Sequence, residues 1–218
     1  MKNAVICFTR VPKPGVTKTR LLPILQPEQC AELHWCFLKD LAAVYGQLDA
    51  HLFVAYTPDP DWELLKSVFP NAGFLAQKGQ DLGEKMYRAL RTVLHLGYES
   101  VILTGSDLPG MEKAHLDSGF AALEAADVAM GPTPDGGYYL IGMKQPHKAL
   151  FRVEGYGSAS VYENTVSAAE KAGLTVAAAM ACVDVDTPED LQLLAANADP
   201  ASHTGRYLAK LKQDGVSL

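Results

Sequence analysis

The 218-residue sequence is poor in cysteine, with four, and in tryptophan, with two. Cys7, Cys30, Cys36 and Cys182 form no C-x-x-C pair and show no spacing suited to zinc or to a disulfide framework, so they read as small buried hydrophobes. Long apolar runs are missing too. None approaches the roughly 18 residues that a membrane-spanning helix needs, which argues against a membrane role. The strand-like run from Ala4 to Thr9 is too short for a signal-peptide core and lacks a small-residue cleavage site, so the expected location is the cytoplasm. Although Gly and Pro are not scarce, no collagen-like period, low-complexity tract or internal repeat organises them. A formal net charge of −6 speaks against a nucleic-acid-binding surface.

Acid is absent from the first 27 residues, which carry Lys2, Arg10, Lys13, Lys18 and Arg20; all 25 acidic residues lie beyond them. One basic loop therefore stands near the start of an acidic chain.

Strand-like and helix-like segments alternate throughout, the pattern of a mostly parallel sheet covered by helices. Strands are predicted at Ala4 to Thr9, His51 to Tyr56, Gly73 to Gln77, Ser100 to Thr104, Val128 to Gly131, Tyr138 to Met143 and Leu174 to Ala178. Helical spacing links Cys30, Leu33, Phe37, Leu41 and Val44, and again Leu82, Met86, Leu90, Val93 and Leu94. Asp81 with Glu84 forms an acidic capping box, and Thr187-Pro188 with Asp190 forms another. Further helices are predicted over Ser158 to Ala172 and Ser202 to Gln213. No Gly/Ser/Pro-rich linker interrupts the chain, so one domain over residues 1–218 is expected, with the helix at about 202–213 packed on it.

Five loops hold the residues suited to chemistry. Arg10 to Arg20 follows the first strand, where open α/β folds bind ligands; Gly15 would let backbone approach an anion, and Lys13, Lys18 and Arg20 would neutralise it. Pro12 and Thr17 stand where a Walker loop requires glycine, so that motif is excluded, as is G-x-G-x-x-G. Asp107, in Thr104-Gly105-Ser106-Asp107-Leu108-Pro109, is a strand-end carboxylate able to hold Mg²⁺, or a turn residue. Asp184 and Asp186 could complete such a site, or belong to the helix start at Thr187. The run Gly131 to Tyr139 is either a hairpin turn at Asp135-Gly136 or a close-approach surface for a substrate. Gln77 to Gly83 leads into a helix N-terminus, which favours anions or polar heterocycle edges. His34 and His95 fall within helical patterns and read as packed or surface residues. No Ser-His-Asp or H-E-x-x-H arrangement is present.

Taken in order, PKPGVTKTRL, GQDLGEKM, LTGSDLP, MGPTPDGGYYLIGM and DVDTPEDL resemble a bacterial transferase family of the GT-A nucleotide-diphospho-sugar transferase superfamily over about residues 4–194. The layout is similar to 2-phospholactate and molybdenum-cofactor guanylyltransferases. The resemblance implies a single three-layer α/β/α domain with a mostly parallel mixed sheet. It further implies Mg²⁺, a nucleoside triphosphate or nucleotide sugar as donor, and a small-molecule acceptor. Arg10, Lys13, Gly15, Lys18 and Arg20 would then face phosphate, with Lys18, Arg20 and Asp107 carrying the catalysis. Asp107 and Asp186 would bind the metal, Gly79 and Gly83 would lie near the base, and Asp135, Gly136, Gly137 and Tyr138 near the acceptor. After Leu150-Phe151 the family commonly has a tryptophan followed by small polar residues. Here the chain reads Glu154-Gly155-Tyr156-Gly157-Ser158, which points to a different acceptor contact. The implied reaction is glycosyl or nucleotidyl transfer; the rival reading is a non-catalytic nucleotide-binding or regulatory protein that keeps the fold.

Overall fold

A computed structural model describes residues 2–153, 156–157 and 159–218. Seven strands form one sheet: β1 (Asn3–Thr9), β2 (His51–Tyr56), β3 (Gly73–Ala76), β4 (Ser100–Thr104), β5 (Val128–Pro132), β6 (Tyr138–Met143) and β7 (Val176–Ala178). Their order is β3-β2-β1-β4-β6-β5-β7. Only β6 runs antiparallel, against both β4 and β5. Central β1 pairs in parallel with β2 and with β4, so the loops after β1 and β4 leave the same edge of the sheet.

Alternation along β1 explains the layering. Val5 and Cys7 enter one core with Leu38 and Leu41 of α1 (Pro27–Tyr45), Leu65 of α2 (Leu65–Val68), and Leu116 and Leu123 of α4 (Lys113–Ala125). Ala4 and Ile6 face the opposite core, with Met86, Leu90 and Val93 of α3 (Leu82–Leu94) and Ala169 of α5 (Val161–Lys171). Successive strand side chains point to opposite faces, so a strand covered on both must be apolar throughout, as Ala4-Val5-Ile6-Cys7 is. This is the expected three-layer α/β/α arrangement with a mostly parallel mixed sheet.

A smaller core joins α1 to α6 (Pro188–Asn197) and α7 (His203–Gln213) through Leu33, Phe37, Leu191, Leu208 and Leu211. Asp40 of α1 accepts from the backbone N–H groups of His203 and Thr204, at 2.8 and 2.9 Å, and so fastens the start of α7. All four cysteines are free and buried, as their spacing implied.

Helix boundaries follow their caps. Asp81 accepts from the Glu84 N–H at 2.7 Å to start α3, and the Thr187–Asp190 box starts α6 with Pro188 as its first residue. The helix expected over Ser158 to Ala172 is α5, shorter at both ends; Ser158 itself lies outside the described residues. Strand β7 begins two residues later than expected, because Thr175 is occupied in hydrogen bonds with Asp127. Helix α4 is not signalled by a strong apolar stripe; its start is a less familiar box in which Glu112 and His115 exchange bonds.

Candidate active site

The loops that leave β1 and β4 meet the segment before α6 at one end of the sheet. The backbone N–H of Val185 donates to the carbonyl of Asp107 at 2.9 Å, which ties Asp184-Val185-Asp186 to the β4 loop across 78 positions of sequence. Asp190 strengthens the tie: its carboxylate accepts from the backbone N–H groups of Asp186 and Thr187, at 3.1 and 2.8 Å. The helix cap and the acid cluster are therefore one structure: the cap reading of this motif holds, and the same cap places Asp184 and Asp186 beside Asp107.

Lys18 lies at the centre. It has φ 54°, a left-handed conformation unusual for a residue with a Cβ. From there its ammonium reaches Asp107 Oδ1 at 2.5 Å and Asp186 Oδ1 at 3.1 Å, and donates to the Val185 carbonyl at 2.5 Å. Its side chain is only 3% exposed, whereas Asp107 and Asp186 remain about 40% exposed at 41% and 39%. Arg20, mostly in solvent, stands 3.6 Å from the other oxygen of Asp186. Burial, the largest single influence, would raise the Asp107 carboxyl, but the charge and hydrogen bond of Lys18, with His34 and Arg10, together outweigh it and hold the group below its usual range. Asp184 shows the reverse: partial burial, then repulsion from Asp186 and Asp135, push its carboxyl up to about 6.

These residues line a cleft of about 560 Å³ that also exposes Arg10, Lys85, Gln77, Thr57, Leu82, Met86 and Tyr138. Three carboxylates occupy one part of it and Arg10, Arg20 and Lys85 add cationic groups. Two apolar side chains, Val16 and Leu82, reach the cleft while 57% and 44% exposed. Among the described residues no three carboxylate, histidine or cysteine side chains converge as a complete metal cage. Asp107 and Asp186 nevertheless contact the same cation, and two hard carboxylates are what Mg²⁺ takes when phosphate oxygens and water supply the rest. The donor set fits that ion.

Several expected residues stand elsewhere. Lys13 does not line the cleft; its ammonium is 2.7 Å from both Asp59 and Asp61 in the loop after β2. The Asp59 contact comes first in raising the lysine above its ordinary value. Gly15 sits in an exposed turn closed by N–H bonds from Val16 and Thr17 to the Lys13 carbonyl. Lys18, expected to be freely accessible to phosphate, is instead buried by its acids. Gly79 and Gly83 frame the cleft without lining it. A Cβ at Gly83 would lie 2.2 Å from the Phe151 carbonyl oxygen, so this glycine permits α3 to touch the turn over Lys148–Phe151.

The Asp135-Gly136-Gly137 segment is the hairpin turn between β5 and β6. Asp135 Oδ1 accepts from Thr133 Oγ1 and the Gly137 N–H, and Gly136 has φ 85° with no room for a Cβ against Ala159. Tyr138 lines the cleft, its buried hydroxyl lacking a hydrogen-bond partner among the described residues.

Sequence reasoning missed three contributors. His34 of α1 is buried, with Nε2 3.0 Å from Ser106 Oγ and 3.7 Å from Asp107 Oδ1. Burial lowers its pKa to about 4, so it supports the Asp107 loop as a neutral ring. Gln77 donates to the carbonyls of Thr9 and Ala55, each at 2.9 Å, and joins the ends of β1 and β2 beneath the cleft. Lys85 enters from α3. Gln77 and Lys85 lie within the stretches Gln77 to Gly83 and GQDLGEKM, which carry no role for either residue by themselves, and His34 reads from its helical phase only as a packed or surface residue.

The chain is 33% identical to a Desulfovibrio desulfuricans G20 protein whose crystal structure is described, provisionally, as a nucleotide-diphospho-sugar transferase. The two superpose with a TM-score of 0.90 over 97% of this chain and 96% of that one. A 2-phospho-L-lactate guanylyltransferase of Methanothermobacter thermautotrophicus is 28% identical over 89% of this chain and 85% of its own length. A 4-diphosphocytidyl-2C-methyl-D-erythritol synthase, 13% identical with a TM-score of 0.61 over 88% of this chain and 96% of its own, shares the fold. The model of a family described as an uncharacterized protein conserved in bacteria, DUF2064, matches residues 40–158. That match spans more than half of the sequence, and the chain belongs to the DUF2064 family.

Proposed function

We propose that this protein is a Mg²⁺-dependent nucleotidyltransferase, moving a nucleotidyl group from a nucleoside triphosphate to a small acceptor. The observation that carries the reading is the meeting of Asp107 and Asp186 at one point, beside Arg10, Arg20 and Lys85, in a cleft at the carboxyl ends of β1 and β4. The guanylyltransferase relatives support nucleotidyl over glycosyl transfer.

Asp107 and Asp186 would hold Mg²⁺, which when bound supplies charge neutralisation for the phosphate oxygens. Arg10, Arg20 and Lys85 bind and orient the triphosphate, and their fixed positive charge favours the oxygens on which charge accumulates. Lys18 keeps the two carboxylates together, and its charge helps lower the proton affinity of Asp107. Val16 and Leu82 offer apolar surface to the faces of the base, and Thr57 a polar contact for its edge. An acceptor oxygen then attacks the α-phosphorus; the bond to the bridging oxygen breaks, and pyrophosphate departs with the electron pair.

The test is ³¹P NMR of the protein with Mg²⁺, each of ATP, GTP, CTP and UTP, and a panel of phosphorylated and carboxylated acceptors. Pyrophosphate appearing with one triphosphate and one acceptor class supports the reading. A nucleoside diphosphate released from a nucleotide sugar in the parallel arm would make the protein a glycosyltransferase. Tight nucleotide binding with no product in either arm would return it to a non-catalytic binder.

A further inference from the structure

A second hollow, of about 740 Å³, lies between edge strand β3 and helix α3. Its floor is apolar, from Ala55 and Leu75, which face α3. Its rim carries Lys78, Lys85, Arg88, Arg91, His95 and Lys148, against, among the described residues, a single carboxylate, Glu84. Glu84 is spent on Arg88, at 2.5 Å. Among the described residues, Lys78, Lys85, Arg91 and Lys148 have no carboxylate within 4.0 Å, and Glu84, already paired with Arg88, is the carboxylate whose field reaches Lys148, which leaves the cluster strongly positive on a protein whose net charge is −6.

Like charges gathered without partners repel one another, and an anionic ligand relieves that repulsion. Protection of the β3 edge against stray pairing does not account for them. Edge-guarding charges belong on the strand itself, and β3 reads Gly-Phe-Leu-Ala. A second copy pairing through the same face would set these cations against their own images. The volume falls in the range of small-molecule sites, and Lys85 to His95 spans about 15 Å along the helix.

We propose that this groove binds a small elongated polyanion, a molecule with at least two phosphate or carboxylate groups and an apolar portion that rests on Leu75. The site is separate from the nucleotide cleft but shares a wall with it, since Lys85 and Gln77 line both. Occupancy of the groove therefore competes for Lys85 and weakens triphosphate binding next door. The ligand-binding part of the proposal stands whether or not the protein transfers a nucleotidyl group.

Tripolyphosphate, as probe, is titrated calorimetrically at low salt, without Mg²⁺, into wild type, the Arg91→Glu/Lys148→Glu variant and Arg20→Glu. Melting curves accompany each, all three altered sites being exposed. The expected result is a binding event that falls at least tenfold in the double variant and survives in Arg20→Glu. Protection of Lys78 and Lys148 from acetylation by the same probe places the site independently of any substitution. Binding lost in Arg20→Glu alone, with neither lysine protected, would assign the anion to the nucleotide cleft and overturn the proposal. Binding abolished equally by every variant and by 0.15 M salt would reduce the groove to nonspecific attraction and overturn it as well.

Discussion

Lys18 and Arg20 are two residues apart in one basic loop, yet they do different work. Lys18 is buried against two carboxylates and a carbonyl, and Arg20 is 70% exposed beside one of those carboxylates. Lys18→Ala removes the ammonium that bridges Asp107 and Asp186 and leaves, among the described residues, only Arg20 beside Asp186, a loss of about 1–3 kcal/mol given that both acids keep access to water. Arg20→Ala is expected to leave the melting temperature nearly unchanged while lowering triphosphate affinity roughly tenfold, the worth of one charge-assisted contact. Melting curves and calorimetry on both variants check this separation. Equal destabilisation by the two would contradict the different burial of their side chains. At this scale the sequence was legible where position after a strand brings residues to one cleft, as for Arg10, Lys18, Arg20 and Asp107. It was silent where long-range packing decides. Lys13 is drawn off by Asp59 and Asp61, more than 40 residues away, and His34 reaches Ser106 across 72.

Among the elements, α3 links the cleft to the rest of the fold, since its first turn borders the site and its Gly83 accepts the Phe151 carbonyl in place of a side chain. Gly83→Ala forces α3 and the turn over Lys148–Phe151 apart, because the obstructing atom is backbone. The expected cost is about 1–3 kcal/mol, or a drop of roughly 2–12 °C in melting temperature for a protein of this size. Calorimetry of the variant reads it; an unchanged melting temperature would show that the turn moves freely. Element boundaries followed local signals closely where a cap was present, as at Asp81, Thr187 and Ser202. Helix α4 lacked both a strong stripe and a familiar cap, and the pattern of apolar residues did not single it out.

For the whole molecule, the alternation of strands and helices revealed the layered class, and the ordered motifs pointed to the superfamily. The antiparallel pairing of β6 with β5 follows from the Asp135-Gly136 hairpin, but the pairing of β6 with β4 is made over distance, which local pattern does not encode. Stability against acid also belongs to this scale. His34 has a folded pKa of about 4, below the 6.5 of an exposed ring. The unfolded chain therefore takes up a proton between those values and the folded protein does not, so stability falls as pH drops from 7 to 5, by roughly 2 kcal/mol from this residue. Asp184, whose folded pKa is raised to about 6, acts in the opposite direction over the same interval. Urea denaturation at pH 7 and pH 5 separates them. Relative to wild type, His34→Gln loses less stability on acidification and Asp184→Asn loses more. The same pH response in His34→Gln and wild type would contradict the buried neutral ring.

The central claim is that Asp107 and Asp186 form a cation site serving a nucleotide. Calorimetric titration of the nucleoside triphosphates with and without Mg²⁺, into wild type and Asp107→Asn, tests it most directly. An amide keeps the size of the carboxylate and loses its charge, so Mg²⁺ should strengthen binding to wild type at least tenfold and leave the variant, still folded by its melting curve, unaffected. The same Mg²⁺ enhancement in both proteins would remove Asp107 from the metal site and contradict the account.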